Sequence, residues 1–166
     1  MQGLAYYVCR IFPVDRDKIV MWTFEGNGGY GCSPKYIAEE LIRENRESGT
    51  HYRIVWLVND EHKAFPTEIK KVKNTFWNRT FHMSTAGTWI SNTRTVYGTK
   101  KRKNQRYIQT WHATLCIKPI GLYRGKQFPK MAYLVSAYDS KMIDYVLSGS
   151  AWCDRMYRKG LVYHGK

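Results

Sequence analysis

Cysteine and acid are scarce in this chain. Four cysteines occur in 166 residues, at Cys9, Cys32, Cys116 and Cys153, and no two form a Cys-x-x-Cys pair. That spacing excludes a zinc ribbon and offers no disulfide framework, so a reducing compartment suits the protein. Aspartate and glutamate total 13 against 27 lysines and arginines, a formal net charge of +14. Such an excess predicts an anionic partner, whether nucleic acid, an acidic lipid surface or a phosphate-rich polymer, and charge alone does not choose among them. No apolar run reaches the roughly 20 residues that cross a bilayer, so any meeting with a membrane is expected to be peripheral. Internal repeats and low-complexity segments are lacking too.

What is present is a globular composition, 43% hydrophobic and 15% aromatic, in a chain long enough to bury a core as one ordinary domain. Residues 4–12 read as a short apolar helix ended by Pro13, within a lead-in spanning residues 1–17. Residues 18–24 form a near-continuous apolar run that suits a strand buried on both faces. A glycine-rich turn follows. Ser33 then offers a helix cap and Pro34 fits the first helical position, with Ile37, Ala38, Leu41 and Ile42 on one face and Ser48-Gly49 as the stop. Further strands are expected over 52–58, 88–91, 106–111 and 143–147. Helices are expected over 66–73, 78–86 and 151–159, the last capped by Ser150. Residues 122–129 carry little pattern and are expected to form a surface loop. Strands alternating with helices at this rhythm predict an α/β domain over residues 18–166, built on a Rossmann-like, mainly parallel sheet.

Three features invite a functional reading. His112 falls where the strand over 106–111 runs out into a loop, at the sheet edge where open α/β folds bind ligands, and histidine is easily tuned as a proton acceptor near neutral pH. A hydrogen-bonded structural histidine is the plainer alternative. Gly26-Asn27-Gly28-Gly29-Tyr30-Gly31 matches the dinucleotide fingerprint Gly-x-Gly-x-x-Gly, but Ser33 and Pro34 start the helix after the glycines rather than within them. Asp60 also lies later than the usual spacing of ~20 residues. A loop facing a cleft and a tight structural turn remain alternatives. Lys100, Lys101, Arg102 and Lys103 form the densest basic cluster, readable as a solvated loop or as a contact for anionic headgroups or polymer phosphates. Nucleic acid is not expected, because the aromatics fall inside strand and helix patterns rather than on a stacking platform. His51, His62, His82 and His164 offer no metal-ligand spacing, and neither a metal nor a cofactor is assigned.

The run Gln109-Thr110-Trp111-His112-Ala113-Thr114, followed by Lys118 and by Ile120-Gly121, resembles the signature of the CDP-glycerol glycerophosphotransferases that polymerise teichoic acids and related polymers. Phe24, Gly26, Ser33, Pro34 and Lys35 fit a second pattern of that family, and residues 90–92 and 144–148 are similar to its strand ends. Pro119 after the lysine and Leu115-Cys116 within the loop depart from the commonest form.

The resemblance implies the N-terminal half of a GT-B-type architecture, in which two Rossmann-like domains face each other across a cleft. It implies transfer of glycerol phosphate from CDP-glycerol to a hydroxyl of a lipid-linked or polymeric polyol-phosphate acceptor, with release of CMP, at the cytoplasmic face of the cell membrane. His112 would be the general base, and Gly26, Gly28, Asn92, Thr114 and Lys118 substrate-binding residues. CDP-glycerol would be held mainly by a second domain carrying a Gly-x-Pro-Arg-x-Asp segment, which this chain does not contain. The chain is therefore expected to be a fragment, inactive alone. A dinucleotide-binding oxidoreductase domain and a basic nucleic-acid-binding module stand as alternatives.

Overall fold

In the strand Asp15–Trp22 (β1), Ile19 and Met21 pack into one apolar cluster and Val20 and Trp22 into another, and all four are buried. The strand Arg53–Val58 (β2) divides in the same way, with Ile54, Trp56 and Val58 on one side and Val55 and Leu57 on the other. A strand buried on both faces needs cover on both, which is the situation of a parallel sheet with crossover helices.

The computed structural model describes residues 2–112 and 118–165. Six strands form one sheet in the order β3-β2-β1-β4-β5-β6, every neighbouring pair parallel. The remaining strands are Lys70–Lys73 (β3), Ala86–Ser91 (β4), Arg106–Gln109 (β5) and Tyr145–Val146 (β6). The chain opens with the helix Gln2–Val8 (α1), and Cys32–Glu47 (α2) joins β1 to β2. Then come Phe76–Thr85 (α3), Lys130–Ser140 (α4) and Ala151–Gly160 (α5). Ala38 and Ile42 of α2 cover one face of the sheet; Tyr6 of α1, Met83 of α3 and Cys153 and Tyr157 of α5 cover the other. The α/β, Rossmann-like expectation therefore holds.

Several local expectations need correction. Residues 66–73 do not form a helix. Their last four residues are the edge strand β3, in which Val72 is buried and three lysines are exposed, as suits a strand at the sheet's open edge. The helix α2 begins at Cys32 with Gly31 as its cap, two residues earlier than the Ser33 cap predicts, and no side chain caps it. Residues 122–129 lie largely within a 3-10 segment, Gly121–Gln127, and the helix α4 behind it was not anticipated. Its buried residues Ser136, Asp139 and Ser140 are polar, so it lacks the apolar stripe that marks a helix in sequence. Ser150 caps α5 as expected, accepting from the Cys153 amide at 3.1 Å. The last two strands are shorter than predicted because pairing stops at Gln109 and Val146.

Candidate active site

Strand order reverses direction at β1 and β4: the chain first winds outward from β1 to β3, then crosses back to lay β4 on the other side of β1. The loops leaving the carboxyl ends of β1 and β4 must diverge there, and the crevice between them is where open α/β sheets take ligands. Thr23 to Gly31 leave β1, Asn92 and Thr93 leave β4, and Trp111 and His112 leave β5.

Buried amides tie these three loops together. Asn92 is fully buried; its side-chain oxygen accepts the Phe24 amide at 2.9 Å, and its backbone oxygen lies 2.8 Å from His112 Nδ1. Thr93 Oγ1 accepts the Glu25 amide at 3.2 Å. Gln109, also fully buried, donates Nε2 to the Thr93 carbonyl at 2.9 Å and to the Tyr107 hydroxyl at 3.0 Å. Its Oε1 accepts the Trp111 amide at 2.9 Å, which holds Trp111 at φ 51°, a conformation that a bulky residue rarely adopts unaided. That turn swings His112 out of the strand's line, and its ring packs beside Phe24 at 5.3 Å between centroids and beside Trp111 at 4.5 Å.

The ring's orientation determines its chemistry. A carbonyl oxygen can only accept, so Nδ1 carries the proton in the Asn92 contact, and the neutral ring keeps its lone pair on Nε2. His112 is exposed and lines a cavity of about 400 Å³ together with Glu25, Thr93, Arg94 and Trp111. A base whose tautomer is set from behind and whose free nitrogen meets an open cleft has the arrangement for taking a proton from a bound hydroxyl.

The other predicted residues divide. Asn92 joins the site as the support of His112. Lys118 is exposed and lines a neighbouring cavity of about 580 Å³ with Arg94, Trp111, Tyr123 and Arg124. Thr114 lies outside the described residues, as does the Leu115-Cys116 departure. The glycines shape the loop and do not present amides to a ligand: the Gly26 and Gly28 amides both donate to the Thr23 carbonyl, at 2.9 and 3.1 Å. Gly26 sits at φ +93°, and a β-carbon there would come within 2.7 Å of Asn74 and 2.8 Å of Asn59. With those amides occupied and α2 starting beyond the glycines, the pyrophosphate cradle of a dinucleotide fold is not formed.

The basic cluster is mostly committed inside the fold. Lys101 pairs with Asp144, and Arg102 donates to the backbone oxygens of Arg10, Phe12 and Ser84. Lys100 stacks on Tyr138, leaving Lys103 as the exposed member. Sequence reasoning missed Arg94 and did not separate Gln109 from its motif; an arginine three residues past a strand end was the available signal for the first. Among the described residues, no group of three or more His, Cys, Asp or Glu is placed to hold a metal ion.

Over residues 4–165 the chain matches the family described as CDP-Glycerol:Poly(glycerophosphate) glycerophosphotransferase. The chain belongs to this family. It is 34% identical over 100 residues to a teichoic acid poly(glycerol phosphate) polymerase of Staphylococcus epidermidis, a stretch that covers 60% of this chain and 13% of that protein. A Bacillus spizizenii protein of the same name is 24% identical over 114 residues, covering 68% and 28%. Among solved structures, a variant of the wall teichoic acid polymerase TagF soaked with CDPG superposes with a TM-score of 0.79 at 25% identity, covering 98% of this chain and 42% of that one. The chain thus spans well under half the length of the relatives it matches. Gln109, Trp111 and His112 of the family signature are the residues that converge on the crevice. Gly121, the last residue of that signature, sits at φ +48° against the backbone of α5, where a β-carbon would overlap the Gly160 carbonyl oxygen.

Proposed function

We propose that this cleft activates the acceptor in a glycerophosphotransferase reaction. A hydroxyl of a lipid-linked or polymeric polyol-phosphate acceptor gives its proton to His112 Nε2 while its oxygen attacks the β-phosphorus of CDP-glycerol. The new P–O bond joins glycerol phosphate to the acceptor, the bond to the bridging oxygen breaks, and CMP departs with the electron pair. The observation that carries this reading is the 2.8 Å contact between His112 Nδ1 and the Asn92 carbonyl, which leaves Nε2 as the free base at the cleft. The polymerase names of the relatives and the CDPG soak of the similar TagF structure support the substrate class.

The nucleotide of CDP-glycerol is assigned chiefly to a second domain facing this cleft, as in a GT-B arrangement. The coverage of about two-fifths of the TagF chain and the inward-turned glycine amides support that assignment. An anionic membrane surface is the proposed setting. No helix among the described residues is long and apolar enough to cross a membrane. Leu4, Val8, Ile11 and Phe12 are exposed along the amino-terminal segment, Lys100 and Lys103 are the freest members of the basic cluster, and this combination suits the interface of an acidic bilayer.

In the intact enzyme, His112→Ala is expected to lower glycerol phosphate transfer by roughly 10²–10⁴-fold with unchanged folding, and His112→Asn to be nearly as poor. Transfer above about a tenth of the wild-type rate in both variants removes His112 from the base role. Titration calorimetry of residues 1–166 with CDP-glycerol should show weak binding or none, and micromolar affinity would place the donor site within this chain.

A further inference from the structure

Arg94 is a half-buried cation for which no described residue supplies an ion pair or hydrogen bond. Its guanidinium stacks over the Trp111 ring at 5.3 Å and feels Asp139, Tyr107 and Glu25 only by longer-range attraction. The nearby Asp139 uses Oδ1 to accept from the Thr95 amide at 2.9 Å and from its hydroxyl at 2.5 Å, and its buried Oδ2 makes no hydrogen bond to Arg94. Burial dominates the environment of Arg94 and pushes its pKa down. Removing a cation from water without a counterion is costly, so a fold that keeps one there is complete when an anion arrives.

The position of Arg94 indicates which anion. It lies on the wall common to two cavities, the one of about 400 Å³ that holds His112 and the one of about 580 Å³ that holds Lys118 and Arg124. No carboxylate lines the larger cavity among the described residues, and the rings of Tyr123 and Phe128 contribute apolar wall. Lys118 and Arg124 are both exposed. A groove with three cations spaced between apolar surfaces suits a chain in which phosphates alternate with short carbon units. A guanidinium, held in one plane by the indole beneath it, presents a donor fork that fits two phosphate oxygens at once.

We propose that Arg94 binds the acceptor phosphodiester next to the hydroxyl presented to His112, and that Lys118 and Arg124 meet phosphates further along the same chain. This rests on the acceptor-side reading above and adds to it a direction: the growing polymer enters through the larger cavity and ends at His112. A donor diphosphate offers similar oxygens, so the test separates the two sources.

The intact enzyme, with its donor-binding domain, is titrated calorimetrically with a poly(glycerol phosphate) oligomer and, separately, with CDP-glycerol, at low and high salt. Arg94→Gln is expected to weaken oligomer binding at least tenfold and to leave CDP-glycerol binding unchanged. Arg94→Lys should fall between, because it keeps the charge and loses the fork. Lys118→Gln and Arg124→Gln, at exposed positions with no part in folding, should each weaken oligomer binding by roughly two- to fivefold and flatten its salt dependence. Wild-type oligomer affinity in Arg94→Gln, or in the Lys118 and Arg124 variants together, overturns the site, as does a wild-type protein with no oligomer affinity. A loss confined to CDP-glycerol overturns the assignment to the acceptor. Arg94-dependent oligomer binding by an intact protein that never releases CMP would sink the transferase reading and keep the phosphate site. Full transfer with an unchanged acceptor KM in Arg94→Gln would do the reverse.

Discussion

His112 Nδ1 and the Asn92 backbone oxygen, 2.8 Å apart, join the loop after β5 to the loop after β4 across the crevice of the sheet. A side-chain replacement at Asn92 cannot remove this contact, since the acceptor belongs to the backbone. The neutral ring is therefore expected as the Nδ1–H tautomer, with Nε2 unprotonated. Nitrogen chemical shifts of the neutral His112 ring check this, and an Nε2–H form would contradict the proposed direction of proton transfer.

Gln109 should behave as a positioning residue. Gln109→Leu orphans the buried Trp111 amide, while the Thr93 carbonyl keeps its bonds from the Tyr107 hydroxyl and Ser91 Oγ, and is expected to cost roughly 1–3 kcal/mol in urea unfolding. Gln109→Glu keeps the acceptor for Trp111 and loses both donations, so its loss should be similar. A stability equal to wild type in both would show that Trp111 holds its φ of 51° without this side chain.

Acid should destabilise the protein through His82. Burial, with the Lys18 and Lys70 cations adding to it, pushes His82 down from 6.5 to about 4. The unfolded chain then binds a proton more readily than the folded one, so stability is complete above about pH 6.5 and falls as pH drops toward 4. Asp139 acts oppositely, because burial raises it to about 6 and favours the folded state on the acid side of that value. His82→Leu isolates the first effect: its melting temperature should change less than the wild type's between pH 6.5 and 4.5. The difference should correspond to roughly 2 kcal/mol. Parallel curves would place His82 in contact with water.

The basic cluster should divide in two by mutation. Lys101→Gln and Arg102→Gln remove an ion pair to Asp144 and a clamp on the backbone of residues 10 and 12, and are expected to lower the melting temperature by several degrees. Lys100→Gln with Lys103→Gln should leave melting nearly unchanged and weaken association with anionic vesicles, an effect that shrinks as salt rises. Vesicle binding indifferent to the second pair would make these two lysines a solvated surface.

The strands β1 and β2 were legible because a run such as Ile19-Val20-Met21-Trp22 leaves no polar side to expose, and only a strand between two helical layers can bury it. The helix α5 was legible for a different reason: Ser150 caps it and its apolar residues recur at helical spacing. The strand β3 was misread because Ile69 and Val72 stand three apart, one face of a helical turn, whereas in the extended chain they enter opposite apolar clusters. The helix α4 left little trace, since what it buries is serine and aspartate, paired with partners distant in the chain such as Thr95.

Residue by residue, the sequence determined the family, the α/β class and the place of His112 at a strand end, because those follow from a contiguous motif and from short-range periodicity. Only the tertiary structure decided which atom of His112 is free, which glycines are spent on the loop's own hydrogen bonds, and which of four adjacent basic residues face water. It alone set Arg94 on the wall between two cavities, with no ion pair or hydrogen bond to a carboxylate among the described residues. Each of these depends on contacts between residues far apart in the chain, and pairing across the sheet, not local pattern, determines them. Asn92 and His112 are twenty residues apart in sequence and share a hydrogen bond because β4 and β5 lie side by side.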